Sequence, residues 1–175
     1  SMPVNKKTLP LMQRYTELLK GEIESGLKLL NENGYEIDSI YVGGGTPTAL
    51  STEQLSEVLQ PLSGLNVEFT VEAGRPDTID TEKLNAMKNA NVTRISVNPQ
   101  TFSDETLKRI GRNHTSDDIC NVYSAAKSMF DINMDLIAGL TGENMTDFEL
   151  SIDKVIELKP ENVTVHTLSK KNGSL

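Results

Sequence analysis

Segments with helical spacing and segments with strand character alternate along this chain, and the alternation constrains its fold more than any other feature. Apolar residues recur at three- and four-residue steps from Leu11 to Leu30, as in an amphipathic helix that ends at Asn33-Gly34. The predicted strands that follow are 36–42, 66–72, 93–97, 132–137 and 162–166. Strands separated by helices require crossover connections, so the pattern predicts an α/β fold with a parallel sheet, of the Rossmann type or the TIM type.

Several of the intervening helices begin with a capping signal. Ser51 and Gln54 form the ends of a capping box ahead of an apolar stripe. Ser103 and Ser116 each precede acidic residues, which favour the positive end of a helix. The other predicted helices run over about 81–90 and 146–158. These signals support the alternating order.

Composition excludes some classes of partner. The 175 residues contain 17 Lys and Arg against 25 Asp and Glu, a net charge of −8, which opposes binding to nucleic acid or to anionic membranes. A single cysteine, Cys120, cannot form an internal disulfide or hold a metal cluster alone, which favours a reducing cytoplasm. We predict no metal ligands in this chain.

The chain has no long apolar run and no obvious linker between domains. No segment approaches the ~20 apolar residues needed to cross a bilayer, and the N-terminus lacks the pattern of a signal peptide. Ser1 before Met2 is typical of a residue left by a cleaved tag. We therefore expect residues 1–175 to form a single domain.

Polar residues occupy the predicted carboxyl ends of the strands, where ligands bind in parallel α/β sheets. They are the Gly43-Gly44-Gly45-Thr46 segment, Glu72, Gln100, Asp135 and His166. Asp135 is the strongest single candidate because apolar residues flank it on both sides.

Each candidate also has a purely structural interpretation. The glycines could form only a sharp turn, and Glu72 could be the ion-pair partner of Arg75. Gln100 and Arg112, taken singly, would be surface residues more often than not. We expect His114 at the surface beside a helix cap, and His166 as a hydrogen-bonded structural residue.

Together the strand ends resemble the radical S-adenosylmethionine (SAM) enzymes of the oxygen-independent coproporphyrinogen III oxidase family, most closely the HemZ-type branch. Five ordered motifs over about residues 39–170 carry the resemblance. They are Ile40-Tyr41-Val42-Gly43-Gly44-Gly45-Thr46-Pro47-Thr48, Thr70-Val71-Glu72-Ala73-Gly74-Arg75-Pro76-Asp77, Arg94-Ile95-Ser96-Val97-Asn98-Pro99-Gln100-Thr101-Phe102, Leu107 to His114, and Asp135-Leu136-Ile137-Ala138-Gly139-Leu140.

The chain departs from the family pattern in two respects. Gly74-Arg75 and Asn98-Pro99 replace the usual Asn-Pro and Gly-Val, and the family's Cys-x3-Cys-x2-Cys cluster motif is absent. The resemblance implies a partial TIM-type (βα)6 barrel, here truncated to about strands two to six. On this basis the chain is a core fragment without the cluster-binding strand and loop or the C-terminal domain of the family.

The resemblance also implies a cofactor site. Gly44, Gly45 and Thr46 would contact the methionine end of SAM, and Glu72 an amino or ribose group. Further family contacts match Gln100, Arg112, Asp135 and, as a backbone contact near adenine, Ser169. No acid–base catalytic set is expected, and the [4Fe–4S] cluster of the intact family enzyme has no ligands here.

The activity implied by the resemblance is conversion of coproporphyrinogen III propionates to vinyl groups, giving protoporphyrinogen IX, with an electron donor as partner. Haem-binding and haem-delivery proteins share these motifs and form one alternative. An inert or merely ligand-binding α/β module is the other, and we expect the isolated 175 residues to be enzymatically inactive. We also expect the first remaining strand, 37–42, to present an unpaired edge through which two chains could pair.

Overall fold

The computed structural model describes residues 9–169, in which five strands alternate with helices. The strands are β1 (Ser39–Val42), β2 (Glu68–Gly74), β3 (Arg94–Gln100), β4 (Asp131–Ala138) and β5 (Asn162–Thr167). The α-helices are α1 (Leu9–Glu32), α2 (Thr52–Leu59), α3 (Thr81–Asn89), α4 (Asp104–Arg109), α5 (Ser116–Ala126) and α6 (Met145–Leu158). Short 3-10 turns lie at Pro47–Ala49, Gln60–Leu62 and Pro76–Thr78.

Strand order distinguishes between the two architectures that the sequence left open. All four strand pairings are parallel, and each strand pairs with the next one along the chain, in the order β1-β2-β3-β4-β5. A doubly wound sheet would reverse its order at a switch point, whereas a βα-barrel does not. The sheet is therefore a curled half-barrel, and the predicted partial TIM-type fold is confirmed.

The two faces of this sheet differ in chemistry. The helix-covered face contributes strand residues that are fully buried, namely Phe69, Val71, Ile95, Val97, Ile132, Met134 and Leu136. They pack against helix residues such as Leu55, Met87 and Ile119. Burial of these side chains supplies the main stabilisation of the fold.

The opposite face, which is the inner face of the half-barrel, is polar. Register pairs Tyr41 with Thr70, Ser96 with Asn133, and Asp135 with Thr164, so their side chains lie on the same side of the sheet. We call this surface the polar face and define it by Ser39, Tyr41, Glu68, Thr70, Glu72, Arg94, Ser96, Asn133, Asp135, Asn162, Thr164 and His166.

The cap predictions hold with one correction. Ser51 and Gln54 form the predicted capping box of α2, and Ser103 caps α4. Helix α5 is capped by Thr115 rather than Ser116, because Thr115 Oγ1 accepts from the Asp118 N–H and the Asp118 carboxylate accepts from the Thr115 N–H. This is a second capping box, displaced by one residue from the predicted cap.

Strand boundaries differ from the predicted ones by up to three residues. β2 begins and ends two residues later than expected, and β3 continues to Gln100 through an irregularity in the pairing register. β1 is shorter than predicted, since pairing with β2 begins only at Ser39. Within residues 9–169, β1 pairs with β2 alone, so its other edge is open; pairing with a second chain stays a prediction.

Helix α1 contacts the core through only part of its apolar surface. Ile23 and Leu27 pack against the core, whereas Leu11, Tyr15 and Leu18 are each more than half exposed. Despite this apolar content, no helix among the described residues has the length and hydrophobicity to cross a membrane.

Candidate functional site

The glycine loop after β1, residues 43–46, needs glycine at two positions for different reasons. A Cβ on Gly43 would collide with the Tyr41 ring and lie 3.1 Å from Glu72 Oε2. Gly44 meets nothing within 4 Å, but its φ of +119° is a conformation that side-chain-bearing residues rarely adopt. Gly43 therefore makes room for a side chain, and Gly44 makes the turn.

Thr46 fixes this loop beside β2. Gly74, the last residue of β2, has a φ of +69°, and a Cβ there would lie 3.2 Å from Thr46 Cγ2. The loop then turns back through Pro47–Ala49, where the Ala49 N–H donates to the Thr46 carbonyl at 2.9 Å. The structure thus places Thr46 against the strand that carries Glu72.

Three ionisable side chains converge on the polar face near this loop. Tyr41 is 66% exposed, but partial burial of its ring, followed by the carboxylates of Glu72 and Asp135, raises the pKa of Tyr41 above its usual value. The phenol therefore stays protonated near neutral pH and is able to donate a hydrogen bond. Glu72 and Asp135, predicted from different motifs, both lie close enough to Tyr41 to raise its pKa. The sequence did not identify Tyr41 as a residue of the site.

Asp135 is held by a hydrogen-bond network centred on Asn133. The Asn133 amide donates to Asp135 Oδ1 at 2.7 Å, and Asn133 Oδ1 accepts from Asn162 Nδ2 at 2.7 Å and from Thr164 Oγ1 at 3.1 Å. Asn133 is only 8% exposed, so β3, β4 and β5 enclose it. The network fixes one carboxylate oxygen of Asp135 and leaves the carboxylate half-exposed on the polar face.

Gln100 ends β3 with an unusual backbone. Its φ is +70°, a left-handed conformation that costs a residue with a side chain about 1 kcal/mol or more. The residue is 8% exposed, so it is buried and not at the surface, where it was expected when considered singly. Strain of this kind is concentrated at ligand sites, which agrees with the role that the resemblance implies for Gln100.

Arg112 and His114 lie beside the turn after β2, and here one prediction was wrong. His114 is 3% exposed, although we expected it at the surface, and neither ring nitrogen has a hydrogen-bond partner among the described residues. Its Nδ1 is 3.6 Å from Asp77 Oδ1. Burial lowers the pKa of His114, and Asp77 partly opposes that shift. His114 is buried because the residues before α5 pack against the 76–78 turn.

The Arg112 guanidinium is half-buried in the same place. Burial of the guanidinium is the main cause that lowers the pKa of Arg112, and repulsion by Arg75 is the second. Attraction to Asp77 partly opposes both effects. Within residues 9–169 no carboxylate pairs with Arg112 or Arg75 at salt-bridge distance, so the suggested Glu72–Arg75 ion pair does not form. Two neighbouring guanidinium groups without a paired carboxylate suit an anionic ligand group such as a carboxylate.

The last two candidates lie at the end of β5. Ser169 follows this strand by two residues and is exposed, and within residues 9–169 it makes no hydrogen bond to the glycine loop or to Asp135. His166, which we expected to be hydrogen-bonded, is exposed at the β5 edge, and its ring makes no hydrogen bond within residues 9–169. The contact assigned to Ser169 stays a prediction.

The motif comparison also missed a cavity. A cavity of about 200 Å³ lies after β4, lined by Ala138, Gly139, Glu143, Asn144, Met145 and Phe148. Glu143 Oε1 accepts from Thr101 Oγ1, while its Oε2 is buried without a partner among the described residues. The alternation of polar residues along the strands could have placed Tyr41 and Asn133 on the polar face. No comparable sequence pattern indicated that Glu143 is buried beside this cavity.

Comparison with known proteins gives the family. The model of the radical SAM superfamily matches residues 4–155. The chain is 44% identical over 153 residues to the oxygen-independent coproporphyrinogen-III oxidase-like protein HemZ of Bacillus subtilis, covering 83% of this chain and 30% of HemZ. It is 39% identical over 142 residues to the haem chaperone HemW of the same organism, covering 76% and 37% of the two chains.

A solved structure agrees with this result. The coproporphyrinogen III oxidase HemN of Escherichia coli, described as a radical SAM enzyme, superposes with a TM-score of 0.84 at 23% identity, covering 97% of this chain and 39% of HemN. The chain spans 30–37% of the length of HemZ and HemW. The match over residues 4–155, together with the parallel half-barrel, shows that this chain belongs to the radical SAM superfamily.

Proposed function

We propose that this chain is the cofactor-binding core of a radical SAM protein that acts on a tetrapyrrole. The observation that carries the proposal is the grouping of the glycine loop, Glu72 and Asp135 around Tyr41 on the polar face. Three different strands supply these residues, so the sheet itself fixes their spacing.

The residues present fit the chemistry of SAM, which carries an amino group, a carboxylate, ribose hydroxyls and an adenine. Glu72 and Asp135 offer acceptors for the amino or hydroxyl groups, and Arg112, which has no carboxylate partner within residues 9–169, offers a planar donor fork for the carboxylate. The open main chain at Gly44 allows close approach of a ligand. In this proposal Gly45, Thr46 and Gln100 line the same end of the sheet, and Ser169 contributes a backbone contact.

The same residues do not fit a [4Fe–4S] cluster. Three thiolates are needed, and the sequence contains one cysteine, Cys120, which lies half-buried in α5. Within residues 9–169 no group of three or more His, Cys, Asp and Glu side chains could hold a metal ion. We therefore propose that cluster ligands lie outside these 175 residues, and that the chain alone lacks radical activity.

For the protein that contains this core we propose oxidative decarboxylation of coproporphyrinogen III, supported by similarity to HemZ and to oxygen-independent coproporphyrinogen III oxidases. Bound SAM supplies, on reduction, the 5′-deoxyadenosyl radical that removes hydrogen from a propionate side chain. The residues of this chain orient the cofactor. Asn133 fixes the position of the Asp135 carboxylate, and the glycine loop places Thr46 against β2.

Haem binding or delivery is the second candidate, because HemW proteins from several bacteria match this chain at 28–39% identity. An anaerobic assay of the cluster-containing protein with SAM, a reductant and coproporphyrinogen III separates the two. Formation of protoporphyrinogen IX together with 5′-deoxyadenosine is the result expected for the oxidase. Deoxyadenosine alone would assign the radical to another substrate. Neither product, despite an intact cluster, would favour the haem-binding candidate.

The cofactor site has its own test in Asp135→Asn, with Asp131→Asn as a matched control. Both carboxylates lie on β4, but Asp131 is exposed at its amino end, away from the glycine loop. We expect Asp135→Asn to weaken SAM binding about tenfold, through loss of a charge-assisted hydrogen bond, and Asp131→Asn to leave it unchanged. Equal SAM affinity of both variants in equilibrium dialysis would remove Asp135 from the site.

A further inference from the structure

Lys83 occupies an unusual position for a lysine of α3. Its side chain is only 14% exposed, and its ammonium donates to two backbone carbonyls, Thr48 O at 2.8 Å and Thr78 O at 3.0 Å. The carboxylate of Asp80 lies 3.7 Å away. Because a buried ammonium is costly unless its protons are used, these acceptors account for the burial of Lys83.

The two carbonyls belong to different loops. Thr48 lies in the turn that returns from the glycine loop, and Thr78 ends the 76–78 turn, which follows Arg75 and contains Asp77. Thr48 also ties its turn to β2, because it is fully buried and its hydroxyl donates to Ala73 O at 2.5 Å. Its Oγ1 is also 2.6 Å from Thr78 Oγ1. The Lys83 ammonium therefore connects the loop after β1 to the loop after β2.

We infer that Lys83 is a positioning residue that holds the glycine loop at the distance from β2 that ligand binding requires. The inference rests on the proposed function for its ligand, SAM. Thr46 and Glu72, the residues offered to that ligand, lie two residues before Thr48 and one residue before Ala73. A shift of the Thr48 turn would move Thr46 relative to Glu72 and enlarge the site. Lys83 itself makes no hydrogen bond to Thr46 or Glu72; its polar partners are Thr48, Thr78 and Asp80.

Helix α3 also supplies a matched control. Lys88, five residues further on, donates to a single backbone carbonyl, Met129 O, at 2.9 Å, at the opposite end of the sheet from the glycine loop. Lys83→Met removes two lysine-to-carbonyl hydrogen bonds from this helix, and Lys88→Met removes one at the far end of the sheet. If Lys83 only adds to global stability, Lys83→Met should speed exchange across the whole sheet and not preferentially at the glycine loop.

The first measurement is amide hydrogen exchange on the 175-residue chain. The Ala49 and Leu50 amides donate to Thr46 O and Pro47 O and report on the loop directly. We expect Lys83→Met to speed their exchange about tenfold or more beyond any change in global stability, and Lys88→Met to leave it unchanged. Lys83→Arg should restore most of the protection. Lys83→Gln, a milder change, should give an intermediate rate if the methionine variant does not fold.

The second measurement is SAM affinity in the cluster-containing protein, determined by equilibrium dialysis. We expect Lys83→Met to weaken SAM binding about tenfold, with partial rescue by Lys83→Arg and no effect of Lys88→Met. Unchanged exchange at Ala49 and Leu50 would overturn the inference, and so would faster exchange with wild-type SAM affinity. If the loop loosens but the wild-type protein binds no SAM, the loop anchor stands and the proposed function is refuted.

Discussion

Replacement of Asn133 by alanine tests the network that holds Asp135. The amide of Asn133 connects three neighbouring strands, since it contacts Asp135 on its own strand, Ser96 on β3, and Asn162 and Thr164 on β5. Asn133→Ala removes all of these contacts at once. Because the side chain is buried, these hydrogen bonds are made in a region of low dielectric constant, where loss of a polar partner is costly.

The expected loss follows from the partners. The bond to the Asp135 carboxylate is charge-assisted, and removal of such a bond costs about 1.5–3 kcal/mol. The bonds from Asn162 and Thr164 are neutral and lie near the exposed edge strand, so each contributes about 0.5 kcal/mol, at the low end of its usual range. The contact with Ser96 at 3.4 Å adds little. We therefore expect Asn133→Ala to lower the free energy of unfolding by about 2.5–4 kcal/mol.

Urea unfolding followed by circular dichroism measures this loss, with Asn162→Ala as the control. Asn162 makes one of the same bonds from an exposed position, so its removal should cost about 0.5–1 kcal/mol. The double variant should be less stable than Asn133→Ala by at most a few tenths of a kcal/mol, because Asn133→Ala has already removed the hydrogen bond that the two residues share. If Asn133→Ala costs no more than Asn162→Ala, the network does not hold Asp135.

Three further predictions test separate parts of the structure. Gly44→Ala and Gly34→Ala both place a Cβ in open space at positive φ, so each should destabilise the chain by about 1–2 kcal/mol, but only Gly44→Ala should also weaken SAM binding in dialysis. Burial lowers the pKa of His114, with Asp77 partly opposing, so the unfolded chain takes up the proton first. Stability should then fall as pH drops below 6.5, the ordinary pKa of histidine, and urea titrations of His114→Gln should show a smaller fall. Leu136→Ala, at a fully buried position, should cost about 2–5 kcal/mol in the same titration.

Local sequence signals predicted the elements well because they act over a few residues. Ser51 and Gln54 form the expected capping box, since its two hydrogen bonds lie within one turn. The cap of α5 was misplaced because Thr115 and Ser116 are both good caps, and the position of Asp118 three residues after Thr115 decides between them. The end of β2 was set too early because Gly74, a poor strand former, is held in the strand by pairing with Val97 of β3.

The candidate site was predictable only in part, because its geometry depends on contacts between distant residues. Glu72 and Asp135 could be placed at strand ends from the motifs, but their convergence around Tyr41 depends on strand order. The burial of His114 depends on the packing of the α5 region against the 76–78 turn. Lys83 carried no sequence signal, since its acceptors are backbone carbonyls that any residue provides.

The separation of polar and apolar faces also determines how such a protein can change. In β2, β3 and β4 every second residue belongs to the hydrophobic core, and the residues between them face the interior of the half-barrel, as with Met134 and Asp135 on β4. Substitutions at the interior positions can therefore alter ligand preference without removing apolar burial. A mutant library confined to the polar face, with Asn133 kept constant, should retain folded members at high frequency. The alternation thus makes this half-barrel a scaffold on which new specificities can be selected.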